Sequence, residues 1–327
     1  MRIKIPVLRE NIIKTLTEKG IGQEDSNAIA EVLIWCDMSG IKTMGTMKLT
    51  GTEPLQNIVP IHAISIEKET KLSALLNAGA NPAPLAAQMA TDMAIQKASE
   101  HGFAIIGVHN TFSSTLAQAF YAQKIANKDL IGIVMSGSPA VFAPFNSIDP
   151  LFGTNPIGFG FPTNDKPIIF DMATSALAWY ALLRAKNAGE RLPDNVAIDK
   201  EGNPTNDPIE AMNGALLPFD GGYKGSGLGM MIEIFTGPLV KAGYTTVSTH
   251  DEYGTTIIAI DPNLLIDVND FKSSNSDLID KIKKSRKTMN SQEIRLPGER
   301  AVRAYNEAEE SGEVDIDKQV LEELGYI

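Results

Sequence analysis

The sequence predicts a mixed α/β fold that lacks the Rossmann fingerprint. Three observations predict it: helical spacing of apolar residues near both ends, short β-branched runs bounded by glycine in the middle, and no Gly-x-Gly-x-x-Gly between a strand and a helix.

Residues 7–36 place Leu8, Ile12, Ile13, Leu16, Ile21, Ala28, Ile29, Val32 and Leu33 at helical spacing, and Gly20 divides the stretch into a helical hairpin. A helix over Pro82–Glu100 feeds the buried run Phe103-Ala-Ile-Ile-Gly-Val-His. A helix is expected over Ser114–Ala126, a strand over Leu130-Ile-Gly-Ile-Val-Met, and two hairpin-like strands around Ile157–Phe161 and Pro167–Asp171. Residues 175–189 read as helix, 193–222 as a long Pro/Gly/Asn/Asp-rich loop, 226–241 as helix, and Thr255–Ile260 as a late strand. After Asp270 the chain is helical and charged up to Asn290, then passes through Arg295-Leu-Pro-Gly-Glu-Arg into a final helix ending Leu324-Gly-Tyr-Ile.

The 327 residues suffice for one large or two ordinary domains with a proper core. The net charge of -11 argues against a nucleic-acid partner, because such binding rests on lysines and arginines that displace counterions. The first residues carry scattered charges and no apolar stretch, so a signal peptide is not expected. The most apolar segment, Leu228–Val240, is short and contains Glu233, whereas a spanning helix needs roughly 20 apolar residues. Cys36 is the single cysteine, as in a chain from a reducing compartment. The expected location is cytoplasmic, with no membrane partner.

Zincin, P-loop and nucleophile-elbow motifs are absent. The four histidines, His62, His101, His109 and His250, lack ligand spacing, so no metal is expected. Gly221-Gly-Tyr-Lys-Gly-Ser-Gly-Leu-Gly sets Lys224 and flexible glycines before a helix, where free N–H groups suit an anion such as phosphate. An ordinary turn with Lys224 in solvent fits the same pattern. Gly153-Thr-Asn-Pro-Ile and Asp171-Met-Ala-Thr-Ser combine a turn with small polar side chains, which suits either a ligand wall or a helix cap. Arg295-Leu-Pro-Gly-Glu-Arg-Ala exposes backbone between two arginines, as a phosphate contact or a capped helix start would.

Together and in order, Asp37-Met-Ser-Gly-Ile, Ser136-Gly-Ser-Pro, Gly153-Thr-Asn-Pro, Asp171-Met-Ala-Thr-Ser, Gly202-Asn-Pro-Thr-Asn-Asp-Pro, Lys224-Gly-Ser-Gly-Leu and Leu296-Pro-Gly-Glu-Arg resemble the type-2 malate/L-lactate dehydrogenase family. That family includes ureidoglycolate and sulfolactate dehydrogenases, diketogulonate reductase and piperideine-2-carboxylate reductase. The resemblance covers nearly the whole chain. It implies a non-Rossmann NAD(P)-binding domain with a mixed, largely antiparallel sheet over 69–284, and a helical substrate and dimerisation domain from 1–68 and 285–327. It further implies a homodimer, NAD or NADP as cofactor, and hydride transfer to or from a small 2-oxo, 2-hydroxy or cyclic 2-imino acid. Carried over by position, cofactor contacts fall on Ser113, Ser114, Thr115, Ser138, Met172, Ala173, Thr174, Lys224, Gly225, Pro297, Gly298 and Glu299, with Thr154 near the substrate.

The chain departs from the family where a serine and a histidine usually supply the proton. In Ser39-Gly-Ile-Lys-Thr-Met-Gly-Thr-Met-Lys, Thr43 takes the serine position, Met44 the histidine and Lys48 an arginine. A thioether cannot donate a proton. A second family histidine is replaced by Ser113, and an aspartate of the piperideine reductases by Leu182. Lys48 is the first candidate for the acid and for pairing with a substrate carboxylate; a solvated lysine is the plainer account. His109 is a second candidate acid, beside a purely structural role. Met44 and Met47 suit an apolar pocket wall or core packing equally. An iminium substrate, already protonated, needs no acid in the hydride step, so the missing histidine favours imine reduction. The alternative is a catalytically weakened relative that binds a dinucleotide in a structural or regulatory role.

Overall fold

The computed structural model describes residues 1–50, 55, 62–244, 252–289, 291 and 293–327. In chain order it contains β1 (Arg2–Lys4), α1 (Ile5–Glu18), α2 (Gln23–Met38), β2 (Ser65–Glu69), β3 (Ser73–Asn77), α3 (Ala83–His101), β4 (Phe103–Thr111), α4 (Gln118–Ala126) and β5 (Ile131–Ser136). It continues with β6 (Ile157–Phe161), β7 (Ile168–Met172), α5 (Trp179–Ala188), β8 (Ala197–Ile198), α6 (Pro208–Asn213), β9 (Ala215–Leu216) and α7 (Tyr223–Thr236). Last come β10 (Tyr253–Ile260), α8 (Val268–Lys283), α9 (Glu299–Ser311), β11 (Glu313–Asp315) and α10 (Lys318–Glu323).

The main sheet has seven strands in the order β2-β3-β4-β10-β5-β6-β7. Only β3 and β4 run parallel, joined by the crossover helix α3; the other neighbours are antiparallel. The late strand β10 sits at the centre, with Ile257 opposite both Ile106 and Val134. Alanines 86, 87, 90, 94 and 98 of α3 are fully buried and let the helix lie close on the sheet. Both chain ends join the same core: Leu8, Ile12 and Leu16 of α1 pack in one cluster with Ile106, Val314 and Leu321. Antiparallel pairing of β1 with β11 ties those ends together. A second, smaller cluster gathers Phe142, Leu182, Leu192, Ala197 and Leu216 under α5.

Several expectations are corrected. The helix expected from Ser114 begins at Gln118, because the Ser114 hydroxyl accepts from the Leu116 N–H at 3.1 Å and Leu116 adopts a φ of 71°. The helix expected from residue 175 starts at Trp179, after Ser175 bridges Pro218. The presumed loop 193–222 contains β8, α6 and β9, elements too short to show periodicity; Asp207 caps α6 by accepting from the N–H groups of Ile209 and Glu210. The helix expected over 226–241 runs from Tyr223 to Thr236, so Lys224 lies inside α7 and not before it. The charged helix expected to reach Asn290 ends at Lys283, and Asn290 lies outside the described residues. The final helix divides into α9, β11 and α10. Strand β2, the exposed run Ser-Ile-Glu-Lys-Glu, was illegible because a charged edge strand has no apolar alternation; it pairs into the main sheet across the expected boundary at residue 68. Among the described residues, no helix is long and apolar enough to cross a membrane.

Candidate active site

The turn after α2 carries three of the residues singled out above. Asp37 is buried at the end of α2, and its Oδ2 accepts from the Thr46 N–H at 2.8 Å and from the Thr46 hydroxyl at 2.5 Å. Gly45 lies flat against it: a Cβ there would fall 1.9 Å from Asp37 Oδ1. These contacts hold two short 3-10 turns, Lys42–Met44 and Thr46–Leu49, at a set angle. Thr43 lines a cavity of about 420 Å³ with Asp37, Lys42, Met47 and Arg184. Met44 points elsewhere, with its sulfur 4.0 Å from the Ser114 hydroxyl. Lys48 is only 5% exposed, and its Nζ stands 3.2 Å above the ring centroid of Tyr180 on α5.

Burial pushes the Asp37 carboxyl up to about 7, against the two Thr46 hydrogen bonds and the charge of Lys42, which pull it down. A carboxyl that binds its proton more tightly when folded adds stability below its unfolded value near 4, and that stability is lost as pH rises through 7. Asp37→Asn keeps an acceptor for Thr46 and cannot ionise. Its stability is therefore expected to match wild type near pH 4 and exceed it above pH 7, by an amount on the order of 2–4 kcal/mol, with the melting temperature rising accordingly. Thermal melts across pH 4–9 check this, and parallel curves would refute it.

A second group forms around Thr154. Its N–H donates to the Ser138 hydroxyl at 3.0 Å, and its carbonyl accepts from the Thr174 N–H at 2.9 Å. The Thr174 hydroxyl reaches the carbonyl of Asn155 at 3.1 Å. Asn155, fully buried, donates through Nδ2 to Gly229 O and to Glu233 on α7, while its Oδ1 is a buried acceptor without a partner. Ser138, Thr154 and Thr174 are thus hydrogen-bonded into one unit just beyond β7, which ends at Met172, with Ala173 between. The sequence reading did not single out Asn155 by itself; its place before proline in the Gly153-Thr-Asn-Pro turn is visible there, its burial only in the fold.

The glycine-rich N-terminus of α7 differs from expectation. Asp220 Oδ1 accepts from the N–H groups of Gly222 and Gly225, each at 3.0 Å, so a carboxylate of the chain itself already occupies the anion position. Lys224 is exposed and Gly225 buried beside Phe219.

The remaining expected cofactor residues fall in two places, Ser113 and Thr115 in the segment before α4, and Pro297 to Glu299 at the start of α9. Ser113 accepts from the Ala83 N–H at 2.9 Å, and Thr115 accepts from the Gln118 side chain at 2.7 Å. Pro297 and Gly298 border a cleft of about 510 Å³ shared with Trp35, Phe170, Asp171, Arg295 and Arg300. Gly298 has a φ of 78° and packs where a Cβ would fall 2.5 Å from Ile169 O, so only glycine fits. The Glu299 carboxylate is committed to the Leu296 N–H at 3.0 Å and the Lys283 ammonium at 2.6 Å. Asp171 is exposed to the cleft, and its Oδ2 accepts from the Ala119 N–H at 2.9 Å.

His109 stands apart from these groups. On β4 it lies between two carboxylates, with Nε2 3.3 Å from Glu67 and Nδ1 4.0 Å from Glu252. Glu252 also accepts from the N–H groups of Asn110 and Gly243, and Glu67 from Lys241, so the cluster stitches strand ends together. His250 lies outside the described residues. Among the described residues, no three His, Cys, Asp or Glu side chains stand together as a metal site.

A largely antiparallel sheet with a hydroxyl-lined turn at one edge and both chain ends packed beside it defines a class of α/β protein distinct from the Rossmann dehydrogenases. The malate/L-lactate dehydrogenase family model matches residues 3–325. Malate/(S)-sulfolactate dehydrogenase of Methanothermus fervidus is 34% identical, over 98% of this chain and 95% of the relative. Ureidoglycolate dehydrogenase (NAD(+)) of Escherichia coli K12 is 32% identical, over 80% of this chain and 78% of the relative. The crystal structure of Δ1-piperideine-2-carboxylate reductase from Pseudomonas syringae pvar. tomato superposes with a TM-score of 0.84 at 26% identity, over 99% of this chain and 98% of that one. The chain belongs to the malate/L-lactate dehydrogenase family.

Proposed function

We propose that the protein is an NAD(P)-dependent oxidoreductase that acts on a small 2-oxo or 2-hydroxy acid, or on a cyclic 2-imino acid. The observation that supports this reading is the buried ammonium of Lys48, on the same turn as Thr43 and Met44, at the position where the family pattern carries an arginine. A buried cation next to a ligand site is suited to a substrate carboxylate, which it neutralises without a water shell. The nicotinamide cofactor, when bound, supplies or accepts the hydride. Residues present suit it: the Ser138, Thr154 and Thr174 unit leaves the Asn155 Oδ1 acceptor unsatisfied, and the cleft at Pro297 and Gly298 carries Arg295 and Arg300. Lys224 is assigned a weaker part, since Asp220 holds the helix N–H groups.

A specific observation favours the imine substrate. Met44 replaces the family's proton donor, and the polar group its sulfur meets is the Ser114 hydroxyl, an alcohol. Reduction of a protonated C=N asks nothing of that position. The exposed apolar face of α7, with Met230 at 49%, Met231 at 46% and Ile234 at 44%, supports a homodimer that covers it.

The test measures NADH and NADPH oxidation with pyruvate, oxaloacetate, Δ1-pyrroline-2-carboxylate and Δ1-piperideine-2-carboxylate, for wild type and Met44→His. Turnover on the imines is expected, and Met44→His is expected to raise 2-oxo acid rates by about 10²-fold while leaving imine rates unchanged. Cofactor binding without turnover on any of the four would sink the enzyme reading and favour a binding protein.

A further inference from the structure

We propose that Tyr180 is a positioning residue for Lys48, acting through the face of its ring and not through its hydroxyl. The proposal rests on the reading of Lys48 as the residue that meets the substrate's acid group.

A lysine ammonium is a compact, strongly hydrated point charge on a flexible four-carbon stem, whereas the arginine of related chains is a planar fork that orients itself. Lysine at this position needs an external restraint. Tyr180 supplies one: Nζ lies 3.2 Å from its ring centroid, well inside the range where the ring quadrupole attracts a cation. Both partners are anchored. The Lys48 turn is fixed by Asp37 through Thr46. Tyr180 sits on α5, which buries Leu182 and Ala185 in the second core cluster. Leu49, next to Lys48, belongs to the first cluster, so the pair joins two cores across the site.

The choice of an aromatic face has an electrostatic consequence. A carboxylate in the place of Tyr180 would neutralise the ammonium and reduce its attraction for an anionic substrate. A ring face attracts the ammonium while bringing no formal charge of its own.

The experiment compares Tyr180→Phe, Tyr180→Trp and Tyr180→Met, each also combined with Lys48→Met. It reads KM and kcat for the 2-oxo or 2-imino acid that the wild type turns over, Kd for oxamate in the presence of NADH, and Kd for NADH alone. Tyr180→Phe and Tyr180→Trp, which keep a π-face, are expected to stay close to wild type. Tyr180→Met fills the space without one and is expected to raise KM and oxamate Kd about 10- to 30-fold, with kcat changed less and NADH affinity unchanged. In the Lys48→Met background the same replacement is expected to add nothing. Wild-type oxamate binding by Tyr180→Met would overturn the proposal, and so would a loss in Tyr180→Phe equal to that in Tyr180→Met, which would assign the effect to the hydroxyl. Persistence of the effect without Lys48 would overturn it as well. Should Tyr180→Met not fold, Tyr180→Leu takes its place with the same expectations. If Lys48→Met alone leaves oxamate affinity unchanged, the assignment of Lys48 to the substrate fails first, an outcome separable from failure of the Tyr180 step.

Discussion

Lys48→Met is expected to lower kcat/KM for the acid substrate by about 10²–10³-fold while NADH affinity and melting temperature stay near wild type. Methionine matches the lysine stem in length, needs no solvation at a site only 5% exposed, and keeps a side chain against the Tyr180 ring through its polarizable thioether. On the proposed reading the substrate, by contrast, loses its charge partner in a place where water cannot replace it. A charge-assisted contact of this kind contributes roughly 3–4 kcal/mol, which sets the expected range. Steady-state kinetics with a parallel thermal melt decide the matter. A variant with full activity would remove Lys48 from the site, and one that fails to fold would recast it as a structural cation.

Gly45→Ala is expected to destabilise the protein by roughly 2–4 kcal/mol, seen as a fall of about 4–10 °C in melting temperature. The new methyl would sit 1.9 Å from Asp37 Oδ1, an atom held in place by a buried carboxylate bonded to Thr46. Either Asp37 swings away and leaves the Thr46 N–H unsatisfied, or the turn carrying Thr43, Met44 and Lys48 shifts outward. Both routes displace the site, so activity falls together with stability. The double variant Gly45→Ala, Asp37→Ala makes room for the methyl and is expected to be more stable than the sum of its single changes predicts. Strict additivity would show that the steric contact is not the cause.

The Asp37 turn shows how far the linear chain can be read. Met44 in place of a histidine and Lys48 in place of an arginine were visible as residues, and the loss of the usual proton donor followed at once. Nothing in the local pattern linked Lys48 to Tyr180, 132 positions on, or showed that Asp37 would be the buried support of the turn. The glycine-rich start of α7 misled in the other direction. Its composition suited an anion, and only the folded turn revealed that Asp220 is that anion.

The sequence by itself determined the helical hairpin at the start, the α3 to β4 unit, the β6–β7 hairpin and the family to which the chain belongs. These rest on side-chain periods of 3.6 and 2 and on turn residues, which act between neighbours and survive in a linear string. Tertiary structure alone decided that β10 enters between β4 and β5, that His109 is caught between Glu67 and Glu252, and that Lys48 lies on an aromatic face. Strand order and through-space charge depend on which distant segments share one core, and that choice is made by packing the whole chain at once.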